Sequence, residues 1–543
     1  MPALPAEETR SMTRFRRPVR RAAGAVACGL LLAAGASGCR DFISSQTATR
    51  SPNTSTSVTD PGPIYVSMQA GLAITYEGPI ARTAALYMQH VAGIARQQQG
   101  FDFYNVSTSD IDGGWQTIFG QGGASDARTV QTIARAQNDS LFIGVGKVHE
   151  AMLVGTAADV FGDVPYRQAF NQSKYPNPVF DPQLQVYGDV QTQLDSAINI
   201  FLKAKVGGTN LGPTGALPRG TARNYEIIYA GRTSAQIVRT YTAVANTLKA
   251  RFYMHTAEVS QKLYGSPTAA YDSVLKYAQL GIQSPSDDYL TFHASSPSGS
   301  NNVWAQFQGA RGDLGPGAAI INLMTARIKA GLDTTDRLAY YFSDACGGDG
   351  TDPGDYGGYR PGANTALPGG QGAPNCAGGY SDFNAFYAPD LRNPVVTYTE
   401  TQLLLAEASY QKAGGGAAGI AAAQTYLDNV RGNETYGATG AGITTFAPQK
   451  SVPATLDNIM QEKYIDLYGS VEVWNDYKRT CLPPLAAAPT STTSTQPRNE
   501  IPGRLPYGQS EINANRSTPT VPANGRNAND PNACPSYTYP TAF

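Results

Sequence analysis

The strongest constraint on the fold is a spacing of apolar residues by three and four positions, which recurs from Ile64 through most of the chain. This spacing places apolar side chains on one face of an α-helix. It predicts helical runs over residues 64–94 and 113–140, and helices over 141–161, 184–203, 234–258, 269–279, 317–330, 398–412, 419–430 and 455–468. Strand-like alternation is rare, and strands do not alternate with helices. We therefore expect a mostly α-helical protein with long loops.

One predicted helix ends abruptly in the stretch HEAMLVGTAADVFGDVPYRQAF, His149 to Phe170. Gly155 lies inside that helix, where a glycine favours close approach of a neighbouring helix. Gly162 can adopt the left-handed conformation that ends a helix, and Pro165 cannot continue one. Asp163 can accept hydrogen bonds from turn amides. Because no partner His or second carboxylate stands close to Asp163, we interpret this stretch as a scaffold corner and not as a catalytic turn.

The N-terminus has the pattern of an export signal. Five arginines between residues 14 and 21 precede a small-residue and apolar run over 22–36, which is too short to span a membrane but fits a signal-peptide core. The run ends in ASGC, which is similar to a bacterial lipobox, although Ala36 stands where Leu is usual. We predict that Cys39 becomes the lipidated mature N-terminus, carrying acyl chains such as palmitate. The alternative is an ordinary secretory signal that happens to contain a cysteine.

Polar residues follow Cys39 in the stretch SSQTATRSPNTSTSVTD, a composition typical of a flexible tether. The predicted organisation is a lipoprotein signal peptide over 1–38, a lipidated tether over 39–62 and a single folded domain over 63–543. This order predicts a lipid-anchored protein at the cell surface.

Charge and cysteine content narrow the classes of partner. The 41 Lys and Arg against 42 Asp and Glu leave no excess that would indicate nucleic acid. Cys346, Cys376, Cys481 and Cys534 remain after the signal and Cys39, and an even number in an exported protein suggests disulfides. Proximity in sequence favours the pairs Cys346–Cys376 and Cys481–Cys534. None forms a CxxC motif, so a zinc site is not indicated.

No motif carries obvious chemistry. The four histidines lack metal-helix spacing, and no G-x-S-x-G elbow presents a nucleophilic serine. The stretch GGDGTD resembles one unit of a calcium-binding repeat, and Asp349, Asp352 and Asp355 are weak candidates for a structural Ca²⁺ site. A solvated Gly/Asp loop is the simpler interpretation. No other cofactor is indicated, and a pair of catalytic carboxylates stays open because spatial separation cannot be read from the sequence.

Many aromatic residues fall in or beside the predicted loops. Such residues offer flat apolar faces with a polar rim, which suit sugar rings and peptides alike. The alternative is that each ring only fixes its own loop.

Four segments, in the same order as in the family, resemble the SusD/RagB-like nutrient-binding outer-membrane lipoproteins. They are the lipobox with its tether; the helix that closes in ADVFGDVPYRQAF; the helix NTLKARFYMHTAE; and the C-terminal half with RNPVVTYTETQLLLAEASYQKAGG, AQTYLDNVRGN, IMQEKYIDLYGSVEVWNDYKRT and RLPYGQSEINAN. Together they extend over most of residues 39–520. Lys463 departs from the family, which often has Arg there.

The resemblance implies a tetratricopeptide-like scaffold of helical pairs, with long elaborated loops and a few short strands building the ligand face. It also implies a function without catalysis, in which the protein caps a SusC-like TonB-dependent transporter barrel as a lid and captures oligosaccharides or peptides. Within the scaffold, Leu403, Leu404 and Ala408 would face a partner helix, while Glu400 and Glu407 would make polar contacts. A structural cluster would consist of Trp474, Asp476, Lys478 and Arg479.

By position in the family, ligand contacts are expected in the loop 97–104, near Trp304 and in the loop 356–386. The candidate ligand-binding residues are Phe103, Tyr104, Trp304, Phe307, Tyr356, Tyr359, Tyr380 and Phe386.

Two other classes of function remain open. A secreted helical glycoside hydrolase would need two carboxylates about 5–10 Å apart beside bound sugar. A non-binding surface-assembly protein would lack a pocket and form ordered arrays. The sequence does not distinguish a glycan from a peptide ligand.

Overall fold

The computed structural model describes residues 60–120, 122–206, 225–362, 370–376, 378–488 and 501–520. The predicted signal peptide, Cys39 and almost all of the tether lie outside the described residues. The described residues, from Asp60 to Thr520, belong to one compact unit.

The described residues form eighteen α-helices and eight short strands. The helices are α1 (Gly62–Glu77), α2 (Pro79–Tyr87), α3 (Arg96–Asp102), α4 (Thr108–Phe119), α5 (Ala124–Ala136), α6 (Ser140–Phe161), α7 (Gln183–Val206), α8 (Ser234–His255), α9 (Ser260–Tyr264), α10 (Ala269–Ala278), α11 (Val303–Arg311), α12 (Ala318–Lys329), α13 (Asp336–Tyr341), α14 (Tyr398–Lys412), α15 (Gly416–Gly432), α16 (Leu456–Asp466), α17 (Glu472–Thr480) and α18 (Gln509–Ala514). The strands are β1 (Val91–Gly93), β2 (Tyr289–Leu290), β3 (Leu314–Pro316), β4 (Gly358–Tyr359), β5 (Gly370–Gln371), β6 (Pro394–Val396), β7 (Thr435–Thr439) and β8 (Gly442–Thr445). They pair antiparallel as β1–β3, β2–β6, β4–β5 and β7–β8.

The scaffold is a series of helices packed side by side in the order α5, α6, α7, α8, α10, α14, α15. Helix α6 packs against α5, α7 and α8 and is almost entirely buried, which explains why it is apolar enough to cross a membrane by length and composition. A Cβ at Gly155 would lie 2.1 Å from the ring of Phe252 on α8, so the glycine permits the close approach expected from the sequence. The mostly helical prediction and its helical-pair scaffold are confirmed.

The prediction of a helical run over residues 64–94 is wrong in one respect, because the helix is interrupted. Helix α1 ends at Glu77, Gly78 is extended, and Pro79 begins α2. The run also ends at Tyr87, and the next apolar residues form strand β1, whose Val91 pairs with Pro316 of β3. Periodicity alone did not reveal this pairing because the partner strand lies far along the chain.

The corner after α6 has the structure expected of a scaffold element. Gly162 has φ +79°, a conformation that side chains other than glycine rarely adopt. Asp163 Oδ1 accepts a hydrogen bond from the Gln183 amide at 2.8 Å. Val164 pairs with Asp181, so the chain leaves the helix in an extended conformation. The side chain of Asp163 therefore fixes the start of α7.

Buried ion pairs connect the helices of the core. Arg251 on α8 donates two hydrogen bonds of 2.6 Å to the Glu400 carboxylate on α14. His255 lies between two carboxylates, 2.8 Å from Asp159 Oδ1 and 2.9 Å from Glu472 Oε2. Burial lowers the pKa of His255, but these two charges raise it more, to about 9. The protonated ring thus joins α6, α8 and α17.

The predicted cluster at the end of α17 is also structural. Trp474 is fully buried and its indole N–H donates to Pro502 O at 2.8 Å. Asp476, Lys478 and Arg479 are all buried. Leu403, Leu404 and Ala408 of α14 are buried in the core, as the resemblance implied.

Candidate functional site

Three segments that are distant in the sequence meet beside the scaffold. The β1–β3 pairing joins the segment before α3 to the end of α11, since Val91 lies opposite Pro316. Tyr359 forms a parallel bridge with Gly317, directly after β3. Trp304 of α11 stacks on Phe386 with ring centroids 4.2 Å apart, and this contact holds the loop that contains Phe386 against α11. We call the surface formed by residues 96–104, 301–316, 356–362, 370–376 and 378–387 the loop face.

Four of the eight candidate aromatics are core residues of this surface in the structure, and the expectation that they are exposed on loops is wrong. Trp304 and Phe386 are at most 1% exposed, Tyr356 2% and Tyr104 6%. The Tyr104 hydroxyl accepts from the Ala488 amide at 2.8 Å, and the Tyr356 hydroxyl donates to Gly350 O at 2.9 Å. Because all four rings are buried and the two tyrosine hydroxyls are hydrogen-bonded internally, these residues hold the loops in place.

Most of the predicted loop 97–104 and the region near Trp304 are in fact helical. Residues 96–102 form α3, and Trp304 lies in α11, where Asn302 caps the first turn through its side chain. The sequence RQQQGFD has no apolar periodicity, so a short polar helix was not predicted.

The other four candidates are half-buried and lie at the surface of the loop face, where ligand contact stays a prediction. Tyr359 and Tyr380 stack with centroids 4.3 Å apart and ring planes 15° apart. Phe103 packs against Gly362, and Phe307 lies under the guanidinium of Arg82, 4.1 Å from its ring centroid. Burial, reinforced by Tyr380 and Asp382, raises the pKa of Tyr359, so its hydroxyl stays protonated at neutral pH.

Polar side chains in the segments 96–104 and 301–316 have unused hydrogen-bonding capacity. Buried atoms there find no hydrogen-bond partner among the described residues; they include Gln98 Oε1, Gln99 Nε2, Asp102 Oδ1, Trp304 Nε1, Gln308 Oε1 and Asp313 Oδ2. Such atoms are uncommon in folded proteins and call for an explanation at each position. Each of these atoms is itself buried, so a ligand would reach it only if the side chains above it moved.

The backbone of the same region adopts unfavourable conformations. Gln89, Arg96 and Tyr104 all have φ between +49° and +64°, although none is a glycine. Asp102 accepts a short hydrogen bond from the Gly362 amide, which connects α3 to the loop. Burial raises the pKa of Asp102 to about 8, partly offset by hydrogen bonds from the Gly362 and Gly93 amides. The carboxyl is thus largely neutral at pH 7 and can donate as well as accept.

Sequence reasoning missed Arg96, Asp102, Gln308 and Asp313 as members of this site. Arg96 Nε donates to Asp313 Oδ1 at 2.6 Å across a separation of 217 residues. No local motif marks these residues; only the unusual density of polar residues between Arg96 and Asp112 was a signal.

The disulfide Cys346–Cys376 is confirmed, with a Cα–Cα distance of 5.6 Å. It closes the loop that leads to Tyr380. Cys481 is disulfide-bonded, and Cys534, its predicted partner, lies outside the described residues.

The candidate Ca²⁺ residues in the disulfide loop are already engaged. Asp349 Oδ1 accepts from the Thr351 hydroxyl at 2.6 Å, and Asp352 Oδ1 accepts from the Gly354 amide at 2.7 Å. Asn375 Nδ2 donates to Asp352 and Asp355. These carboxylates therefore organise the loop itself, and calcium binding there stays a prediction.

Two buried groups elsewhere in the described ranges could in principle surround a metal ion. One is Asp159, His255 and Glu472; the other is Glu434, Glu462 and Asp466. Both ring nitrogens of His255 are directed at carboxylates, and its raised pKa favours the protonated ring, which has no lone pair for a metal. In the second group Arg337 lies between the carboxylates. Both arrangements are those of buried ion pairs.

Comparison with known proteins identifies the family. Residues 52–508 match the family model SusD-like, described as starch-binding and associating with the outer membrane. Among proteins with curated descriptions no relative matches.

Solved structures share the fold at low sequence identity. A SusD/RagB family protein from Bacteroides thetaiotaomicron is 19% identical with a TM-score of 0.57, and the match covers 83% of this chain and 94% of the other. A chitin-binding protein is 19% identical with a TM-score of 0.62, over 87% and 100% of the two chains. A chitin-binding SusD homolog from Flavobacterium johnsoniae is 18% identical with a TM-score of 0.60, over 87% and 98%. With its helical-pair scaffold and a match over most of its length, this chain belongs to the SusD-like family.

Proposed function

We propose that the protein is a cell-surface lipoprotein that binds glycans and delivers them to a TonB-dependent outer-membrane transporter, without cleaving them. The observation that carries this proposal is the family match over residues 52–508, which spans the whole helical scaffold and the loop face. Two structural relatives are described as chitin-binding, which favours a glycan over a peptide as ligand.

The loop face is the proposed glycan site. Its half-buried rings supply flat apolar surface, and the stacked pair Tyr359–Tyr380 is rigid because each ring supports the other. The amides of Gln98, Gln99 and Gln308, whose unpaired atoms are buried within the loop face, are neutral groups. A neutral oligosaccharide satisfies both features at once.

Binding without hydrolysis is favoured because, of the three described carboxyls of the loop face (Asp102, Asp313 and Asp382), only that of Asp382 is exposed. Asp102 and Asp313 are at most 1% exposed, and Asp313 is paired with Arg96. A glycosidase presents its two carboxylates directly to the glycosidic bond. Neither of these two does so.

Binding and cleavage are tested together on the purified full-length protein. We expect maltohexaose or chitohexaose to bind and to be recovered intact after prolonged incubation. The double variant Tyr359→Ala/Tyr380→Ala should weaken binding about tenfold or more, because clustered aromatics dominate such interfaces. The matched control is Tyr264→Ala, which removes a tyrosine that is 41% exposed on α9. Binding of neither sugar, or release of shorter products, would contradict the proposal.

Anchoring and delivery need separate tests in cells. The variant Cys39→Ser should release the protein from the membrane fraction, because the proposed lipid is attached there. Deletion of the gene should abolish uptake of the bound glycan class, and the protein should co-purify with a TonB-dependent barrel. Unchanged uptake after deletion would refute the transport role while leaving glycan binding intact.

A further inference from the structure

A cleft lies between α4 and α18, and the seven described residues that line it all lie outside the loop face. It is an open cleft of about 580 Å³, within the range of about 300–1,000 Å³ that is typical of small-molecule sites. The lining residues are Gly113, Trp115, Gln116, Thr117, Phe119, Gly120 and Ser510. No charged side chain is among them.

One wall of the cleft is aromatic and rigid. Trp115 packs against Phe119 with centroids 4.6 Å apart and against Phe161 at 4.9 Å. Tyr507 contacts the edge of the indole at 5.7 Å, and its hydroxyl donates to Asp163 O. The scaffold corner after α6 therefore supports this wall, since Phe161 ends the helix there.

The Trp115 indole has a hydrogen-bonding group that the protein does not use. Trp115 is only 3% exposed, and what remains exposed lines the cleft. Its Nε1–H donates to no acceptor among the described residues, whereas the indole of Trp474 donates to Pro502 O. Because buried tryptophans usually pair this N–H, an acceptor from outside the chain is expected.

Neutral polar groups that are held in place also line the cleft. The exposed Gln116 donates through Nε2 to Asp112 Oδ2 at 2.7 Å, which leaves its amide oxygen available as an acceptor. The Ser510 hydroxyl donates to Asp112 Oδ1 at 2.7 Å and retains its acceptor capacity. The Asp112 carboxylate beneath these groups disfavours an anionic ligand.

We propose that this cleft is a sugar-binding site separate from the loop face, which takes one or two neutral sugar rings. The aromatic wall would contact the apolar face of a ring, and the indole N–H would donate to a hydroxyl or ring oxygen. The amide of Gln116 and the hydroxyl of Ser510 would accept from other sugar hydroxyls. The site does not depend on glycan binding at the loop face.

The test uses full-length protein labelled with 5-fluorotryptophan, which gives three ¹⁹F resonances for Trp115, Trp304 and Trp474. Each resonance is assigned by the single Trp→Phe variant in which it disappears. If one variant does not fold, the other two variants assign their resonances and the remaining resonance is assigned by elimination. Maltohexaose and chitotetraose are titrated separately. We expect a saturable shift of the Trp115 resonance with at least one sugar.

A matched pair of glycine variants tests the location. Gly113 lines the cleft and a Cβ there meets nothing within 4 Å, so Gly113→Leu adds bulk at the cleft with no clash at Cβ. Gly188 on α7 is equally exposed and open, and Gly188→Leu is the control. Both changes raise helix propensity, so neither threatens folding. The Trp115 response should be lost, or weakened at least tenfold, only in Gly113→Leu.

Two results would overturn the proposal. One is a Trp115 resonance that stays unshifted with both sugars up to their solubility limits; the other is a shift that Gly113→Leu leaves unchanged. The variant Tyr359→Ala/Tyr380→Ala should retain the Trp115 response, so a failure of the loop face as a glycan site is distinguishable from a failure of this one.

Discussion

Replacing Glu407 by Gln tests how the helical scaffold tolerates buried charge. Helix α14 carries this carboxylate into the interior, where its Oε2 lies 2.6 Å from Lys463 Nζ and 3.1 Å from Arg479 Nη2. The three side chains are at most 2% exposed. Asp476 contacts both cations as well. The substitution keeps the shape of the side chain and leaves two buried cations with one carboxylate fewer.

The loss of unfolding free energy expected for Glu407→Gln can be worked out in two ways. Removing one partner of a buried ion pair costs about 3–5 kcal/mol of the free energy of unfolding. Burial raises the pKa of Glu407, but the charges of Arg479 and Lys463 lower it more, from 4.5 to about 2. A lowering of the pKa by that amount corresponds to about 3 kcal/mol of the free energy of unfolding. The stabilisation is present above pH 4.5 and is lost as the pH falls through 2, because the folded state holds the carboxylate ionised.

The assay is urea unfolding of wild type and Glu407→Gln at pH 7, monitored by far-UV circular dichroism. The control is Lys412→Ala, in the same helix, whose ion pair with Asp272 is half exposed on both sides. An exposed pair contributes about 0–1 kcal/mol, so the control should be nearly as stable as wild type. A Glu407→Gln protein that loses less than about 1 kcal/mol would refute the argument that buried charge pairing holds α14, α16 and α17 together.

Three further outcomes are expected. Gly162→Ala should lower the free energy of unfolding by about 1–3 kcal/mol in urea titrations, because φ +79° is unfavourable for alanine, and an unchanged midpoint would contradict this. With a pKa raised to about 9, protonated His255 stabilises the fold fully below pH 6.5 and loses this effect as the pH rises through 9. The stability gap between wild type and His255→Gln should therefore narrow from pH 6.5 to 9, and a constant gap would argue against the charged ring. Tyr359→Ala/Tyr380→Ala should keep the melting temperature within a few degrees while weakening glycan binding, measured by calorimetry; a large loss of stability would mean that the pair is structural.

The scaffold was predictable because its signals are local. Apolar spacing placed helix α14 at residues 398–412, and the structure has Tyr398–Lys412. Turn chemistry at Gly162 likewise depends on neighbouring residues only. Helix α3 was missed because its polar sequence carries no periodicity and its partner Asp313 lies 217 residues away.

The candidate site was predictable as a region but not as a set of residues. The three segments expected to build the ligand face do come together. An aromatic residue beside a loop can point inward or outward, however, and Trp304 and Phe386 point inward because stacking on each other buries both rings. The burial of these rings depends on tertiary packing. Whether the polar atoms of Gln98 and Gln308 find a hydrogen-bond partner depends on tertiary packing as well. Neither follows from local sequence.

The most direct test of glycan capture without chemistry is a crystal structure of the full-length protein grown with chitohexaose. We predict an intact oligosaccharide lying across the loop face, in contact with the stacked rings of Tyr359 and Tyr380. An empty loop face at saturating ligand, or density for cleaved sugar, would contradict the central claim.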